Sequence, residues 1–541
     1  MRQTINGADF RRLVINAAAA IEINKQALND LNVFPVPDGD TGTNMSMTIG
    51  NGAKELEKLG DDVTVEEVAK VAASGFLRGA RGNSGVILSL LFRGFSKGMK
   101  GKEIASGADI AAAFALGVEA AYKAVMKPTE GTILTVARCA AEKAAEIVKF
   151  DDSTIAVTYG MYIQSRKTLE QTPEMLPILK KSGVVDAGGQ GLVYIFEGIW
   201  SVISEGKMIM PKTAEEEVSK TAEYSYCVEA VVKRGEAECQ LEKALSALGE
   251  VVEYTEGTIG AKFHVHTNEP GKVLTEALSF GVLTATKVEN MGLSHTSLEA
   301  DFEDPQEETK EEKFPYAEVD PSIEYGFVSV CAGKGLTDVF SDLGCDNIVS
   351  GGQTMNPSTE DILAAVQATP AKTVFVLPNN KNIIMAAAQA AEIADRKVVV
   401  IPSRTVPQGI SAMLSYDCDA SVEENTEAMN EALSSVCTGQ VTFAARDSDF
   451  DGHKIKEGEL LAMKEGKMIY TGKDMDTICA RLAKALVTKD TSMVTIYYGE
   501  DVTEEQAEAI REVVEGKLPS SVEVNTLYGG QPVYYYIISA E

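Results

Sequence analysis

Residues 32–44 read NVFPVPDGDTGTN and are the most informative stretch of this 541-residue chain. Asp38 and Asp40 stand one residue apart with Asn32 upstream, so hard oxygen ligands are concentrated where Gly and Pro favour a tight turn. Carboxylates this close repel one another unless a cation lies between them, and Mg²⁺ together with phosphate oxygens suits such a site. The alternative is that PDGD forms a solvated turn without any ligand.

The loop lies within a segment whose pattern is helical. Apolar residues recur at three- and four-residue spacing through most of residues 1–205, and strand-like alternation is absent there. The predicted helices are Phe10–Asn29, Val65–Leu77, Gly85–Phe95, Ala105–Met126, Ile133–Lys149, Ile155–Thr168 and Gly191–Ile203. A further helix is expected from Met45, and the amides of Thr41–Asn44 that precede it are placed to bind phosphate. We therefore predict a helical domain whose loops carry the chemistry.

Three more glycine-containing loops occur in the same domain. Residues 78–85, RGARGNSG, open a helix, and glycines with a small hydroxyl there suit an anion, although a plain helix connection is the alternative. Residues 130–132 and 186–191 each begin a further helix, with Thr132 as an expected N-cap and DAGGQG as a turn. Walker A, nucleophile-elbow and His-Arg-Asp kinase motifs are absent from the sequence.

The composition excludes several classes of protein. A formal net charge of −30 and a pI of about 4.7 repel phosphate backbones, so we expect no nucleic-acid partner. Eight cysteines without a C-x-x-C spacing indicate reduced thiols and a cytoplasmic location. The N-terminus lacks a secretory layout, and no run of about 18 apolar residues predicts a membrane span.

The remaining sequence predicts two more domains, so the fold class is multidomain α and α/β. Residues 206–222 look like a linker, and residues 223–298 alternate strands and helices in a small α/β domain. Residues 299–322 are predicted to be an acidic, flexible linker, because they begin with a charged stretch that holds few apolar residues. Residues 323–541 alternate short strands with helices, which predicts an α/β domain with a parallel sheet.

A second candidate site lies in the middle domain. His264 and His266 point to the same face of a predicted strand, and Cys227 lies on another strand with Glu229 on its face. One cysteine and two histidines form a ligand set that suits Zn²⁺. Because no C-x-x-C or H-x₃-H spacing frames them, two ordinary histidines and a buried thiol are the alternative.

The motifs NVFPVPDGDTGTNM, RGNSGV, PTEGTILTV and DAGGQGL together resemble the ATP-binding domain of the dihydroxyacetone kinase family. HVHTNEPG and GGQTMNPSTEDIL resemble the middle and C-terminal domains of the catalytic subunits of bacterial fatty acid kinases. The resemblance extends over the whole chain. It implies an N-terminal barrel of antiparallel helices with nucleotide at one end, and a C-terminal domain similar to DegV-type fatty-acid-binding proteins.

The resemblance also implies site residues. Asn32, Asp38 and Asp40 would be catalytic ligands of two Mg²⁺ ions that accompany ATP. The positions implied for nucleotide binding are Thr41, Gly42, Thr43, Asn44, Asn83, Ser84, Gly85, Thr132, Asp186 and Gly188. The chain departs from dihydroxyacetone kinases at Asn32, where they have Asp, and by one residue inserted before Asp38. The resemblance favours Zn²⁺ at Cys227, His264 and His266.

The implied function is an ATP-dependent kinase that converts a fatty acid carboxylate to an acyl phosphate for phospholipid synthesis. The fatty acid would arrive on a separate DegV-type carrier that docks on the C-terminal domain, and we expect the kinase to be a homodimer. Two alternatives remain open: a dihydroxyacetone-type small-molecule kinase and a non-catalytic, nucleotide-dependent regulator.

Overall fold

The structure is a computed structural model, and the residues that it describes fall into two compact units. The described residues are 3–32, 39–125, 127–206, 208, 226–234, 241–257, 260–290, 314–352, 355–444, 448–450 and 453–541. One unit combines residues 1–209 with residues 312–541, and the other is residues 210–311. The larger unit therefore joins the N-terminal and C-terminal domains.

The N-terminal domain is a ring of helices. Its helices are α1 (Gly7–Ile23), α2 (Lys25–Leu31), α3 (Thr41–Glu57), α4 (Val65–Gly79), α5 (Gly82–Gly98), α6 (Gly107–Ala124), α7 (Ile133–Ile147), α8 (Thr154–Met175), α9 (Pro177–Ser182) and α10 (Ala187–Glu205). From α3 to α8 each helix packs on its successor, and α10 packs on both α8 and α1, which closes the ring. Apolar side chains including Phe10, Phe95 and Phe114 line a cavity of about 70 Å³ inside it. The predicted helical barrel is confirmed.

Several local details differ from the sequence prediction. Two three-residue strands, β1 (Thr4–Asn6) and β2 (Ile104–Ser106), pair in antiparallel fashion and are too short to give an alternation signal. The expected helix Phe10–Asn29 is broken at Asn24, which separates α1 from α2. Helix α3 begins at Thr41 rather than at Met45, so the glycine-containing loop continues directly into helical backbone.

The middle domain is an antiparallel sheet with helices on one face. Its strands are β3 (Tyr226–Arg234), β4 (Gly249–Gly257), β5 (Gly260–Thr267) and β6 (Gly281–Asn290), in the order β4-β5-β3-β6, and its helices are α11 (Leu241–Ser246) and α12 (Pro270–Phe280). Val228 and Val265 from the sheet pack with Val273 and Phe280 of α12. Because side chains alternate along a strand, the neighbours of Val228 and Val265 point to the opposite face.

The C-terminal domain begins with a parallel sheet. Its first elements are β7 (Tyr325–Cys331), α13 (Lys334–Asp342), β8 (Asn347–Ser350), α14 (Thr359–Gln367), β9 (Thr373–Leu377), α15 (Ile384–Ile393), β10 (Lys397–Val400), α16 (Val406–Leu414) and α17 (Val422–Ser435). The strand order is β10-β9-β7-β8, and each pairing is parallel. The predicted strand–helix alternation therefore produces the expected parallel sheet.

A second, mixed sheet completes the C-terminal domain. Its elements are β11 (Cys437–Phe443), β12 (Ser448–Phe450), β13 (His453–Ile455), β14 (Leu460–Lys464), β15 (Lys467–Gly472), α18 (Met475–Leu486), β16 (Met493–Tyr498), α19 (Glu504–Glu515), β17 (Glu523–Tyr528) and β18 (Tyr536–Ala540). The order is β15-β14-β11-β18-β16-β17, with only β16 and β17 parallel among these described pairs, while β12 and β13 form a separate hairpin.

Residues 314–322 pack on the C-terminal domain, although we expected them to belong to a flexible linker. The Ala317 N–H donates to the Gln367 carbonyl at 2.9 Å, and Arg396 donates to the Ala317 carbonyl at 3.0 Å. The Tyr316 hydroxyl also donates to Asp395 at 3.0 Å. Residues 299–313, the acidic part of that linker, and nearly all of the linker at 206–222 lie outside the described residues.

Within the described ranges, no helix combines the length and the apolar character needed to cross a membrane.

Candidate functional site

Four helices of the N-terminal domain begin at the same end of the ring. Helix α3 packs closely on α5 and on α10 near this end. A methyl group added at Gly85 in α5 would lie 2.3 Å from Oγ1 of Thr48 in α3, and one at Gly191 in α10 would lie 2.5 Å from Sδ of Met45 in α3. Asp186 at the start of α10 accepts a hydrogen bond from the Ile133 N–H at the start of α7. Because unpaired amides give each helix N-terminus partial positive charge, this end of the ring suits an anionic ligand.

Asp40 is a half-buried carboxylate at this end of the ring, immediately before α3. Its Oδ2 accepts a hydrogen bond from Nδ2 of Asn356 at 2.5 Å, and the Asn44 side chain is a second partner. Burial raises the pKa of Asp40, which those two hydrogen bonds partly offset. No Lys or Arg among the described residues forms an ion pair with it, so the site holds a desolvated anion that a cation would stabilise.

The amides of Thr41–Asn44 are not all available to a phosphate. The Thr43 N–H donates to Oδ1 of Asn29 at 3.1 Å, and the Asn44 N–H donates to the Asp40 carbonyl at 2.8 Å. A methyl group added at Gly42 would lie 2.1 Å from the Lys25 carbonyl oxygen. The expectation of a four-amide phosphate cradle is therefore wrong for the amides of Thr43 and Asn44, and the close packing of α2 against α3 requires Gly42 to be a glycine.

The loop before α5 contacts both the Asp40 site and the C-terminal domain. Gly82 has a φ of +57°, which places its backbone against Nδ2 of Asn44, where a methyl group would approach to 2.5 Å. Nδ2 of Asn83 donates to Oδ1 of Asn382 at 3.2 Å, so this predicted nucleotide-binding side chain is engaged across the domain interface. Ser84 is partly buried in the first turn of α5.

Of the two other residues predicted to ligate Mg²⁺, Asn32 is among the described residues. Asn32 follows the last residue of α2, and its N–H donates to the Asn29 carbonyl at 3.1 Å. Asp38 and the five residues before it lie outside the described residues. The grouping of Asn32 and Asp38 with Asp40 around a metal ion therefore stays a prediction.

Asp186 and Thr132 hold the starts of α10 and α7. Oδ2 of Asp186 accepts from the Gly189 N–H at 2.7 Å and caps α10, as the DAGGQG motif allows. Gly188 packs beside Ile133, where an added methyl group would lie 3.3 Å from Cβ of Ile133. Thr132 is the N-cap residue of α7, and its hydroxyl donates to the Thr129 carbonyl at 2.8 Å. Burial raises the pKa of Asp186 to about 6.

This raised pKa predicts a pH-dependent cost of folding. The unfolded chain ionises Asp186 near pH 4 and the folded chain ionises it near pH 6, so stability falls as the pH rises between these values. Asp186→Asn keeps the capping oxygen and removes the charge, so it should stabilise the protein above pH 6 by up to about 3 kcal/mol. Urea unfolding at pH 4 and pH 8 measures the difference, which should fall to about 0.5 kcal/mol at pH 4. Asp152→Asn is the control, because Asp152 is exposed and its substitution should not change stability at either pH. An equal effect of Asp186→Asn at both pH values would contradict the argument from desolvation.

In the middle domain the structure brings the predicted cysteine and histidines together. Strands β3 and β5 pair Cys227 with His266 and Glu229 with His264. Sγ of Cys227 and Nε2 of His266 each lie 3.1 Å from Nε2 of His264, and all three ligand atoms are within 4.8 Å of one another. These separations are close to the edge of a tetrahedron with about 2.1 Å zinc–nitrogen bonds, roughly 3.4 Å. The donor set and the spacing therefore fit Zn²⁺.

Glu229 lies on the far side of the His264 ring. Its Oε1 is 3.7 Å from Nδ1 of His264, while Nε2 faces Cys227 and His266. A carboxylate behind a histidine is the usual arrangement in zinc sites, where it orients the ring and increases its basicity.

Asn356 contacts Asp40, Arg81 donates to the Asn356 carbonyl, and the sequence patterns predicted neither contact. Asn356 belongs to the GGQTMNPSTEDIL motif, which we attributed to the C-terminal domain alone, and it is separated from Asp40 by 316 positions. Arg81 belongs to the loop RGARGNSG, which we interpreted as an anion site because of its glycines and its serine. A single sequence holds no signal for so distant a contact.

A ring of helices with a half-buried carboxylate among converging N-termini, together with α/β domains, defines the class as a multidomain protein with an N-terminal helical domain. The chain matches the family model described as "DAK2 domain" over residues 35–201. It also matches the FakA-like fatty acid kinase models for the middle domain, over residues 223–298, and for the C-terminal domain, over residues 326–541. The chain belongs to the FakA-like fatty acid kinase family.

The chain is similar over its whole length to curated bacterial proteins. Protein YloV of Bacillus subtilis (strain 168) is 40% identical over 561 residues, and protein SH1689 of Staphylococcus haemolyticus (strain JCSC1435) is 38% identical over 566 residues; both comparisons cover 100% of each chain. A solved DegV family protein from Corynebacterium glutamicum aligns with 40% of this chain and 97% of its own, at 16% identity and a TM-score of 0.33.

Proposed function

We propose that this chain is an ATP-dependent kinase that phosphorylates the carboxylate of a carrier-bound fatty acid, giving an acyl phosphate and ADP. The observation that carries the proposal is Asp40, a desolvated carboxylate with no cationic partner among the described residues, set where four helix N-termini converge. Membership of the FakA-like fatty acid kinase family supports a fatty acid as the phosphate acceptor.

The donor set at this end of the ring fits Mg²⁺. Asn32, Asp38 and Asp40 would hold two ions through oxygen atoms, the ligand type that Mg²⁺ prefers. Asp40 suits a cation because its charge is partly desolvated and no counter-charge from the described residues faces it. Bound Mg²⁺ would neutralise the charge that develops on the β- and γ-phosphate oxygens.

The protein's own residues would position the two substrates. The N-termini of α3, α5, α7 and α10 favour the negative triphosphate at this end, with Thr41, Gly42, Ser84, Thr132 and Gly188 among the first-turn or capping residues. A carboxylate oxygen of the fatty acid attacks the γ-phosphorus, the bond from that phosphorus to the bridging oxygen breaks, and ADP leaves. The acceptor is already ionised near pH 7, so the reaction needs no general base and we assign none.

We further propose that the fatty acid arrives on a separate DegV-type carrier protein and that the C-terminal domain supplies the docking platform, with the kinase acting as a homodimer. The match of residues 326–541 to the C-terminal model of the fatty acid kinase family supports a role of this domain in handling the fatty acid substrate. In the middle domain we propose a Zn²⁺ site at Cys227, His264 and His266, supported by the separations of their ligand atoms.

³¹P NMR tests the reaction directly. Purified protein with Mg²⁺-ATP and a fatty-acid-loaded DegV-type carrier should give an acyl phosphate signal together with ADP. The signal should be absent when either the carrier or the fatty acid is omitted. Turnover of dihydroxyacetone without a carrier would instead favour the small-molecule kinase. Intact ATP across several carriers and chain lengths would favour a nucleotide-dependent regulator.

A further inference from the structure

The C-terminal domain inserts one side chain into the Asp40 site. Asn356 lies between β8 and α14, is 2% exposed, and donates from Nδ2 to Oδ2 of Asp40 at 2.5 Å. The donor must be the amide nitrogen, because an ionised carboxylate only accepts. This hydrogen bond joins a carboxylate of the helical domain to a loop of the α/β domain.

The other polar atom of the Asn356 side chain is its carbonyl oxygen, Oδ1. Its Oδ1 is buried and has no hydrogen-bond partner among the described residues. A buried carbonyl oxygen without a partner costs roughly 1–3 kcal/mol, so such atoms in folded proteins usually face a water or a ligand. The side chain therefore has one atom committed to Asp40 and one atom available to whatever occupies the site.

The loop that carries Asn356 is fixed on the helical domain. Nη1 of Arg81 donates to the Asn356 carbonyl at 2.8 Å, and Nη2 lies 3.3 Å from Oδ2 of Asp361. The Thr359 N–H donates to the Ala80 carbonyl at 3.0 Å. These contacts, at Asn356 itself and just after it, hold its side chain toward Asp40.

The interface around this loop is part of a packed core. One cluster of buried apolar side chains continues from the helical domain, for example Ala80 and Val86, into the parallel sheet and helices of the C-terminal domain, for example Ile362 and Ala386. An ion pair between Arg93 of α5 and Glu392 of α15, at 2.7 Å, lies at its exposed edge. The position of Asn356 is therefore set by a packed interface rather than by a single contact.

We propose that Asn356 is a positioning residue through which the C-terminal domain completes the divalent cation and nucleotide site of the helical domain. Its Nδ2 fixes Oδ2 of Asp40, so that the carboxylate would already be oriented when it binds a cation. Its Oδ1 offers an acceptor to a water or hydroxyl group at the site. This inference rests on the proposed function only in treating Asp40 as a residue of that site.

The test measures cation and nucleotide binding by the full chain rather than activity. Electron paramagnetic resonance titration with Mn²⁺, in the presence of a non-hydrolysable ATP analogue, reports affinity directly. Asn356→Leu keeps the branched shape of the side chain, at a somewhat larger volume, and removes both polar atoms, and Asn356→Ala serves if the leucine variant does not fold. We expect either variant to bind Mn²⁺ about 10- to 100-fold more weakly, as when the partner of a metal-ligating carboxylate is lost.

Glu392→Ala is the matched control, because it removes a contact across the same interface without touching Asp40. Its Mn²⁺ affinity should equal that of the wild type. An equal loss in Glu392→Ala would mean that any loosening of the interface weakens the site, and would overturn a specific role for Asn356. Unchanged affinity in both Asn356 variants would also overturn it, as would tighter binding, which would show that the contact obstructs the site.

The outcomes separate this inference from the proposed function. Wild-type protein that binds the Mn²⁺–nucleotide complex, with Asn356 variants that bind equally well, contradicts the inference alone. Weaker binding by the variants, without acyl phosphate formation by the wild type in the NMR experiment, contradicts the proposed reaction alone. A wild-type chain that binds no Mn²⁺–nucleotide complex contradicts both.

Discussion

Asp40→Asn should abolish carrier-dependent acyl phosphate formation while the metal-free protein remains folded. The substitution removes the charge that would bind the cation, and removal of one group that stabilises a transition state commonly lowers kcat about 100- to 1,000-fold. Asparagine retains an oxygen that can accept from Nδ2 of Asn356. Because burial of the Asp40 carboxylate raises its pKa, loss of the charge should leave the melting temperature unchanged or slightly higher. ³¹P NMR and thermal unfolding measure the two effects.

The control for this experiment is Asp62→Asn. Asp62 is an exposed aspartate of the same domain, so its substitution should leave both activity and melting temperature unchanged. Added Mg²⁺ with an ATP analogue should raise the melting temperature of the wild type and of Asp62→Asn, since a ligand that binds only the folded state stabilises it. The same shift in Asp40→Asn, or near-normal turnover, would show that Asp40 does not hold the cation.

The sequence predicted the elements of this fold well because their signals are local. Amphipathic spacing marked the helices of the ring, and strand–helix alternation marked the parallel sheet of the C-terminal domain. Helix starts were predicted less well: α3 begins at Thr41 and α5 at Gly82, each within a loop whose glycines indicated irregular backbone. At both loops, close packing of neighbouring helices requires glycine, and a single sequence does not separate that need from ligand binding.

In the candidate sites, too, contacts within one sheet could be predicted from the sequence and contacts between domains could not. His264 and His266 share a strand face by a two-residue spacing, and Cys227 lies directly opposite His266 on the neighbouring strand, so their convergence followed from alternation and one pairing. The contact of Asn356 with Asp40 depends on how two domains pack, which no local pattern encodes. For the same reason the sequence did not predict the hydrogen bond of Asn83 with Asn382. The glycine-rich loop that carries Asn83 was interpreted only as a loop that faces a ligand.

Substitution of Cys227 by serine should remove bound zinc and destabilise the middle domain. The wild type should contain about one zinc per chain by elemental analysis, and Cys227→Ser and His264→Ala should contain close to none. A structural zinc site contributes folding free energy outright, with apparent binding free energies of about 10–16 kcal/mol in small zinc-binding domains. Hydrogen exchange should therefore show loss of protection in strands β3 and β5, where the three ligands lie.

Cys139→Ser is the matched control, because Cys139 is a free cysteine of the helical domain. It should retain the wild-type zinc content and the wild-type protection of β3 and β5. Glu229→Gln should have an intermediate effect, because loss of a carboxylate behind a metal-ligating histidine typically weakens metal binding about 10- to 100-fold. Wild-type protein without zinc, together with unaltered protection in Cys227→Ser, would show instead that the three side chains form an ordinary hydrogen-bonded cluster on the sheet.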